Sequence, residues 1–158
     1  MAAGNTYTQI ASTTLGSAAS SVTFSSIPST YTDLVLVFNG VSSADADFRL
    51  QFNGDTASNY SNTYINGNGS TVGSGRDPVG TIGEGNTGDT VVIANIMNYS
   101  NATTYKTTIS RGNTSNKNVM ARVMTWRSTS AINSIVANRS SGNFSTGSTF
   151  NLYGITAA

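Results

Sequence analysis

The residue types that usually carry chemistry are sparse in this chain, so each can be weighed singly. There is no Cys and no His, which removes thiol nucleophiles, His-based triads and Cys/His zinc sites. Glu84 and Asp89 could pair as glycosidase-type carboxylates. Both lie in a Gly-rich stretch where catalytic geometry is hardest to hold, so no catalytic residue is assigned and an enzyme is not expected. Asp45-Ala46-Asp47 and Asn53-Gly54-Asp55 could offer hard oxygen ligands to Ca²⁺. The spacing and closing Glu of an EF-hand are missing, so they read as surface turns, and no metal is assigned. Gly83-Glu84-Gly85-Asn86-Thr87-Gly88 matches G-x-G-x-x-G. The dinucleotide fingerprint needs a helix next and an acid about twenty residues on. Here a β-branched run follows and no acid exists beyond Asp89, so no cofactor is assigned.

Trp126 stands beside Arg122 and Arg127. An aromatic flanked by bases suits stacking on a base or sugar, or an interface anchor; a Trp in a sandwich core is the plainer reading. All seven acids lie at or before Asp89, and six bases follow it without an acid: Lys106, Arg111, Lys117, Arg122, Arg127 and Arg139. Such asymmetry marks nucleic-acid binding or self-association, unless strands of the two halves interleave and mix the charges in space. The six bases form no cluster in sequence, which is a weak nucleic-acid signal.

The elements that must position these residues are strands. Ser, Thr and Asn fill about two-fifths of the chain, Pro is nearly absent, and Thr, Val, Ile, Tyr and Phe carry the apolar content. The chain is organised around Asp33–Gly40, DLVLVFNG, whose five consecutive apolar residues are strand-length and predict a strand covered on both faces. Asp47–Asn53 alternates with Phe48, Leu50 and Phe52 inward. Asn118–Ser128 sets Met120, Arg122, Met124 and Trp126 on one face. Shorter runs predict strands near Thr6–Ala11, Ser21–Ile27, Tyr60–Asn66, Thr90–Asn98, Thr103–Ser110, Ala131–Ala137 and Thr149–Thr156, and Ser42 or Ser43 could cap one helical turn. From Asn66 to Asp89 nearly every third residue is Gly, which predicts one long loop. The pattern predicts one all-β domain over 1–158, a jelly-roll-like sandwich of about eight antiparallel strands with a 1–10 arm and the 66–89 loop. No targeting segment or transmembrane span is apparent, and Met1 suggests a stand-alone product.

Three segments carry a resemblance: IASTTLGSAASSVTFSSIPSTYTDLVLVF (Ile10–Phe38), LQFNGDTASNYS (Leu50–Ser61) and SGNFSTGSTFNLYGI (Ser141–Ile155). They resemble virion structural proteins and tail-fibre segments of tailed bacteriophages, including cyanophages; the likeness thins across the Gly-rich stretch and Thr90–Ser130, and Gln51 stands where the pattern has Arg. The resemblance brings no catalytic motif. It implies a capsid decoration (cement) protein on the outer surface of the virion, bound to the major capsid protein and bridging capsomers as a homotrimer. Its alternative is a tail-fibre or receptor-binding module holding glycans on Tyr60, Tyr64 and Trp126. For partner or oligomer contact the expected residues are Arg76, Asp77, Pro78, Val79 and Ile82 in the loop, with Arg122, Trp126 and Arg127.

Overall fold

The computed structural model describes residues 6–85, 87–115 and 117–156. They form twelve strands: β1 (Tyr7–Thr14), β2 (Ser21–Phe24), β3 (Asp33–Gly40), β4 (Ala46–Phe52), β5 (Tyr60–Gly67), β6 (Val72–Asp77), β7 (Thr81–Gly85), β8 (Thr90–Met97), β9 (Lys106–Thr114), β10 (Val119–Trp126), β11 (Ile135–Arg139) and β12 (Thr149–Ile155). An eight-stranded sheet runs β1-β12-β3-β8-β9-β10-β5-β6, and a four-stranded sheet runs β2-β11-β4-β7. Every pairing is antiparallel. The all-β sandwich is therefore present, with twelve strands where the patterning predicts about eight and an eight-and-four division of sheets. No helix among the described residues is long and apolar enough to cross a membrane.

The core lies between the sheets. Leu34, Leu36 and Phe38 of β3, Val92, Ala94 and Ile96 of β8, and Phe150 and Leu152 of β12 meet Phe48, Leu50 and Phe52 of β4 and Ile135 and Ala137 of β11. At one end Phe38, Phe48, Phe144 and Phe150 interlock, with ring centroids 5.1 Å apart for Phe38–Phe48 and 4.8 Å for Phe144–Phe150. Edge contacts of this kind add to burial itself. Phe144 belongs to no strand; single bridges to Ala19 and Ser42 hold its backbone. Those bridges replace the helical turn expected after Ser42 or Ser43, and Ser43 instead accepts the Asn143 backbone N–H.

The long Gly-rich loop is corrected to two strands. β6 pairs with β5 at the edge of the large sheet, and β7 pairs with β4 at the edge of the small one. Propensity argues against strand here, but tertiary packing demands small residues. A Cβ on Gly83 would stand 2.7 Å from Val92 Cγ2, and one on Gly85 would stand 2.7 Å from an Arg139 nitrogen. Gly83 thus lets β7 lie close over Val92 of the large sheet, and Gly85 leaves room for the Arg139 guanidinium and Ser42. Asn86 of that motif is outside the described residues.

The expected 1–10 arm is corrected in part. Residues 1–5 lie outside the described residues, while Tyr7–Ile10 opens β1, which pairs with the last strand, β12. The first and third segments of the phage resemblance therefore supply three adjacent strands, β1-β12-β3. β3 itself departs from expectation: only its Leu34–Leu36–Phe38 side meets the second sheet. Val35 and Val37 point the other way, where Val35 is still buried and Val37 half-buried, flanked laterally by Tyr153 and Asn95, and by Asn151 and Ile93.

Candidate functional site

Strand alternation divides the large sheet into a covered face and an outer face. The covered face of β10 carries Met120, Arg122, Met124 and Trp126, all buried. The outer face carries Val119, Ala121, Val123 and Thr125, and register extends it sideways. One row runs Ile65–Ala121–Arg111–Ile93–Val37, and the next runs Thr63–Val123–Ile109–Asn95–Val35. Val72, 92% exposed, and Ile65, 63% exposed, stand at the β5–β6 corner; Val91, Met97, Ile109, Val119 and Val123 are exposed along the face. At that corner Ile65, Val72, Val119 and Ala121 line a mostly apolar groove of about 660 Å³. Among the described residues, only Tyr105 of the exposed large apolar side chains lies away from this face. The face also carries three charged residues: Asp33, Arg76 and Arg111. The face is poor in charge, and most of its exposed apolar side chains are β-branched.

A second constellation lies at the open end of the sandwich, where β7 packs across β9 and β10. Arg122, 3% exposed, projects from the covered face of β10. Its Nη2 donates to Glu84 Oε1 at 2.8 Å, its Nη1 lies 3.6 Å from Asp77 Oδ2, and its guanidinium stacks 4.4 Å over the Tyr64 ring. Lys117 Nζ reaches Glu84 Oε2 at 3.2 Å and Asp45 Oδ1 at 2.6 Å. Asn118 Nδ2 donates to Glu84 Oε2 at 3.3 Å. Glu84 thus bridges two cations that strand pairing brings to it from the far half of the chain. Desolvation depresses the Lys117 pKa, but its Asp45 and Glu84 partners outweigh that and leave it raised. Asn66, Asn68, Thr71, Glu84, Lys117 and Asn118, with Val72 and Gly73, line a cleft of about 230 Å³ beside this network.

The uneven charge along the sequence is resolved by this topology. Arg122 and Lys117 meet early acids, and Arg139 donates to the Ala44 and Gly85 carbonyls at 2.7 and 2.9 Å. Burial lowers the Arg139 pKa, opposed by Asp47 and Asp45. Lys106 is fully buried and donates to the carbonyls of Thr104 and Thr129; burial lowers its pKa. Of the six late bases only Arg111 and Arg127 are exposed, so the bases do not gather on one face as a nucleic-acid surface requires.

Several expected contact residues are relocated. Trp126 is a core residue: its ring packs edge-on to Phe52 at 5.6 Å, and Nε1 donates to Asp55 Oδ2 at 2.7 Å. Asp55 also accepts from Asn59 and from the Ala57 backbone, and these bonds, Asn59 foremost and Trp126 next, hold its carboxyl below the usual range. Tyr60 is buried too; its hydroxyl accepts the Phe52 N–H and donates to the Asp55 carbonyl, and burial pushes its pKa to about 12. Tyr64 lies under Arg122. Trp126 and Tyr60 therefore present no open stacking surface, and the half-buried Tyr64 already stacks with Arg122. Arg122 and Ile82 are likewise buried, and Asp77 and Val79 are half-buried. Arg76, Pro78 and Arg127 remain exposed, though Arg127 is tied to the Ser58 carbonyl.

The turn acids considered for Ca²⁺ are engaged as well. Asp47 accepts from Arg49 at 2.6 Å, Asp45 from Lys117, and Asp55 from Trp126. The outer face was not identified from sequence, although its signal existed. β3 carries apolar residues on both of its sides, and Val119, Val123 and Ile109 occupy positions that alternation assigns opposite the core. Comparison of the chain with protein families, with curated proteins and with solved structures finds no match.

Proposed function

We propose that this protein is a non-enzymatic structural component of a tailed-bacteriophage virion. In this reading it is a capsid decoration (cement) protein, a homotrimer that binds the major capsid protein on the outer surface of the shell and bridges neighbouring capsomers. The observation that carries the reading is the outer face of the eight-stranded sheet, on which Ile65, Val72, Val91, Ile109, Val119 and Val123 all stand exposed. Monomers rarely expose a contiguous apolar patch beyond about 300–600 Å². A face that shows exposed aliphatic side chains and few charges is suited to burying surface against other proteins. The resemblance of Ile10–Phe38, Leu50–Ser61 and Ser141–Ile155 to phage virion proteins supplies the setting. The function is mechanical: each copy adds buried area across seams between capsid subunits and opposes their separation by internal pressure.

The test is to compare phage shells with and without this protein. Particles lacking it are expected to release DNA at lower temperature, and adding back the purified chain should restore the loss. Particle imaging that traces the chain only in the tail would overturn the reading.

A further inference from the structure

We propose that the outer face of the eight-stranded sheet is where copies of this chain meet. The β10–β5–β6 half of one copy packs on the β3–β8 half of another. The inference rests on reading that face as a surface built to be covered, and it names what covers it.

Area comes first. The six strands that would meet, β3 to β6 in sheet order, lie about 4.8 Å apart with four outward positions about 6.6 Å apart, a face of roughly 760 Å². A stable interface takes about 800 Å² from each partner, so a second copy laid on this face is of about that size. Two sheets meeting this way would pack as aligned layers.

Charge and register then favour a copy of the chain over a foreign surface. Asp33 lies on β3 and Arg76 on β6, five strands apart in the sheet order. Exchanging the two halves brings β3 over β6, β8 over β5 and β9 over β10. Arg76 then falls on Val35, one outward step from Asp33, so the charges at the two sides of the face are complementary. Within the rows Ile65 falls on Ile93 and Val123 on Ile109, aliphatic on aliphatic. Arg111 falls on Ala121, not on another Arg111, which avoids a like-charge clash and leaves room for the longer side chain. Because every pairing is reciprocal, the contact closes about a two-fold axis: the free chain is a dimer through this face, and the trimer of the functional reading needs a different contact on the shell.

The experiment uses the isolated full chain without shells. Sedimentation at tens of micromolar is expected to show a dimer. Ile65→Asp is expected to run as a monomer with an unchanged far-ultraviolet dichroism spectrum. Because the chain has no cysteine, coexpressed Ile65→Cys and Ile93→Cys chains should form an interchain disulfide on mild oxidation. The yield should exceed that of Ile65→Cys coexpressed with Thr23→Cys, on the opposite sheet, by tenfold or more. A monomeric parent chain, or equal cross-linking with the Thr23→Cys control, would overturn the inference. An oligomer that cross-links as expected but is never recovered on shells would leave this face assigned and defeat the decoration reading. A monomer that binds shells would do the reverse.

Discussion

Glu84→Gln isolates what the buried charge network contributes. The substitution keeps the shape of the side chain and removes the charge that Arg122 and Lys117 share. Arg122 is left with Asp77 at 3.6 Å as its nearest carboxylate, while its guanidinium stays in a site where the side chain is 2% exposed. Breaking a fully buried pair from one side costs about 3–5 kcal/mol. The Glu84 side chain is 20% exposed and Asp77 remains, so the expected loss is about 2–3 kcal/mol. In a chain of this size each kcal/mol moves the melting midpoint by about 2–4 °C, which gives a fall of roughly 5–10 °C. Calorimetry and urea unfolding should agree on it, with the urea slope unchanged.

Two companion variants make the reasoning refutable. Arg122→Met removes the buried charge itself and keeps the hydrophobic stem, so it should cost less than Glu84→Gln. Asp47→Asn breaks the Arg49–Asp47 pair, whose side chains are each 33% exposed, and should cost about 0–1 kcal/mol. If Glu84→Gln loses no more than Asp47→Asn, the network is surface decoration and the account of how β7 is fastened fails. If Arg122→Met loses more than Glu84→Gln, the guanidinium's stacking on Tyr64 and its bonds outweigh the cost of burying its charge.

The remaining expectations concern the core and one pH dependence. Phe144→Ala should cost about 3–5 kcal/mol, because it opens a cavity among three other Phe rings; urea unfolding measures it. Gly83→Ala should cost about 1–3 kcal/mol by forcing β7 off Val92, visible as a lower melting midpoint. Asp55 has a folded pKa depressed from 3.8. It therefore contributes stability above its unfolded pKa, and that contribution is lost as pH falls through the folded value. Melting curves from pH 7 to pH 2 should show this acid loss in the parent chain and a shallower one in Asp55→Asn.

Strand positions were legible in the sequence wherever side chains alternate around a common core. β4 could be read from Phe48, Leu50 and Phe52, and β10 from Met120, Met124 and Trp126, because burial on one face leaves a period of two. β6 and β7 could not, because their interior positions are glycines selected for close approach, and glycine carries no periodic signal. β11 begins at Ile135, not at Ala131, because Ala131 and Asn133 meet Asn53, whose side chain donates to the Ala131 carbonyl and accepts the Asn133 N–H. That fastening depends on a partner far along the chain, so no local window contains it. The fate of Arg122, Lys117 and Arg139 was hidden for the same reason: only the sheet order places Glu84 and the Ala44 carbonyl beside them.

The outer face was hidden for another reason. An apolar residue on each side of a strand is compatible with burial between two layers, and β3 was read in that way. The structure supplies one layer and leaves the second side to lateral neighbours, so the same pattern now has to be explained by something outside the fold. Val91 on β8, Ile109 on β9, Val119 and Val123 on β10 and Ile65 on β5 are exposed and belong to different strands, yet the register gathers them in three adjacent rows on one face. Water alone would favour Thr, Lys or Glu at such positions, as it does on most one-sided antiparallel sheets. A lone outward Val needs no explanation, but aligned rows of them leave a large hydrophobic cost unless another surface closes over them. Substituting Val123→Thr and Ile109→Thr together should therefore leave the monomer fold intact, because neither touches the core, and weaken association in sedimentation by tenfold or more. Loss of folding in that variant would mean the face is held by internal packing, and the case for a covering partner would fall with it.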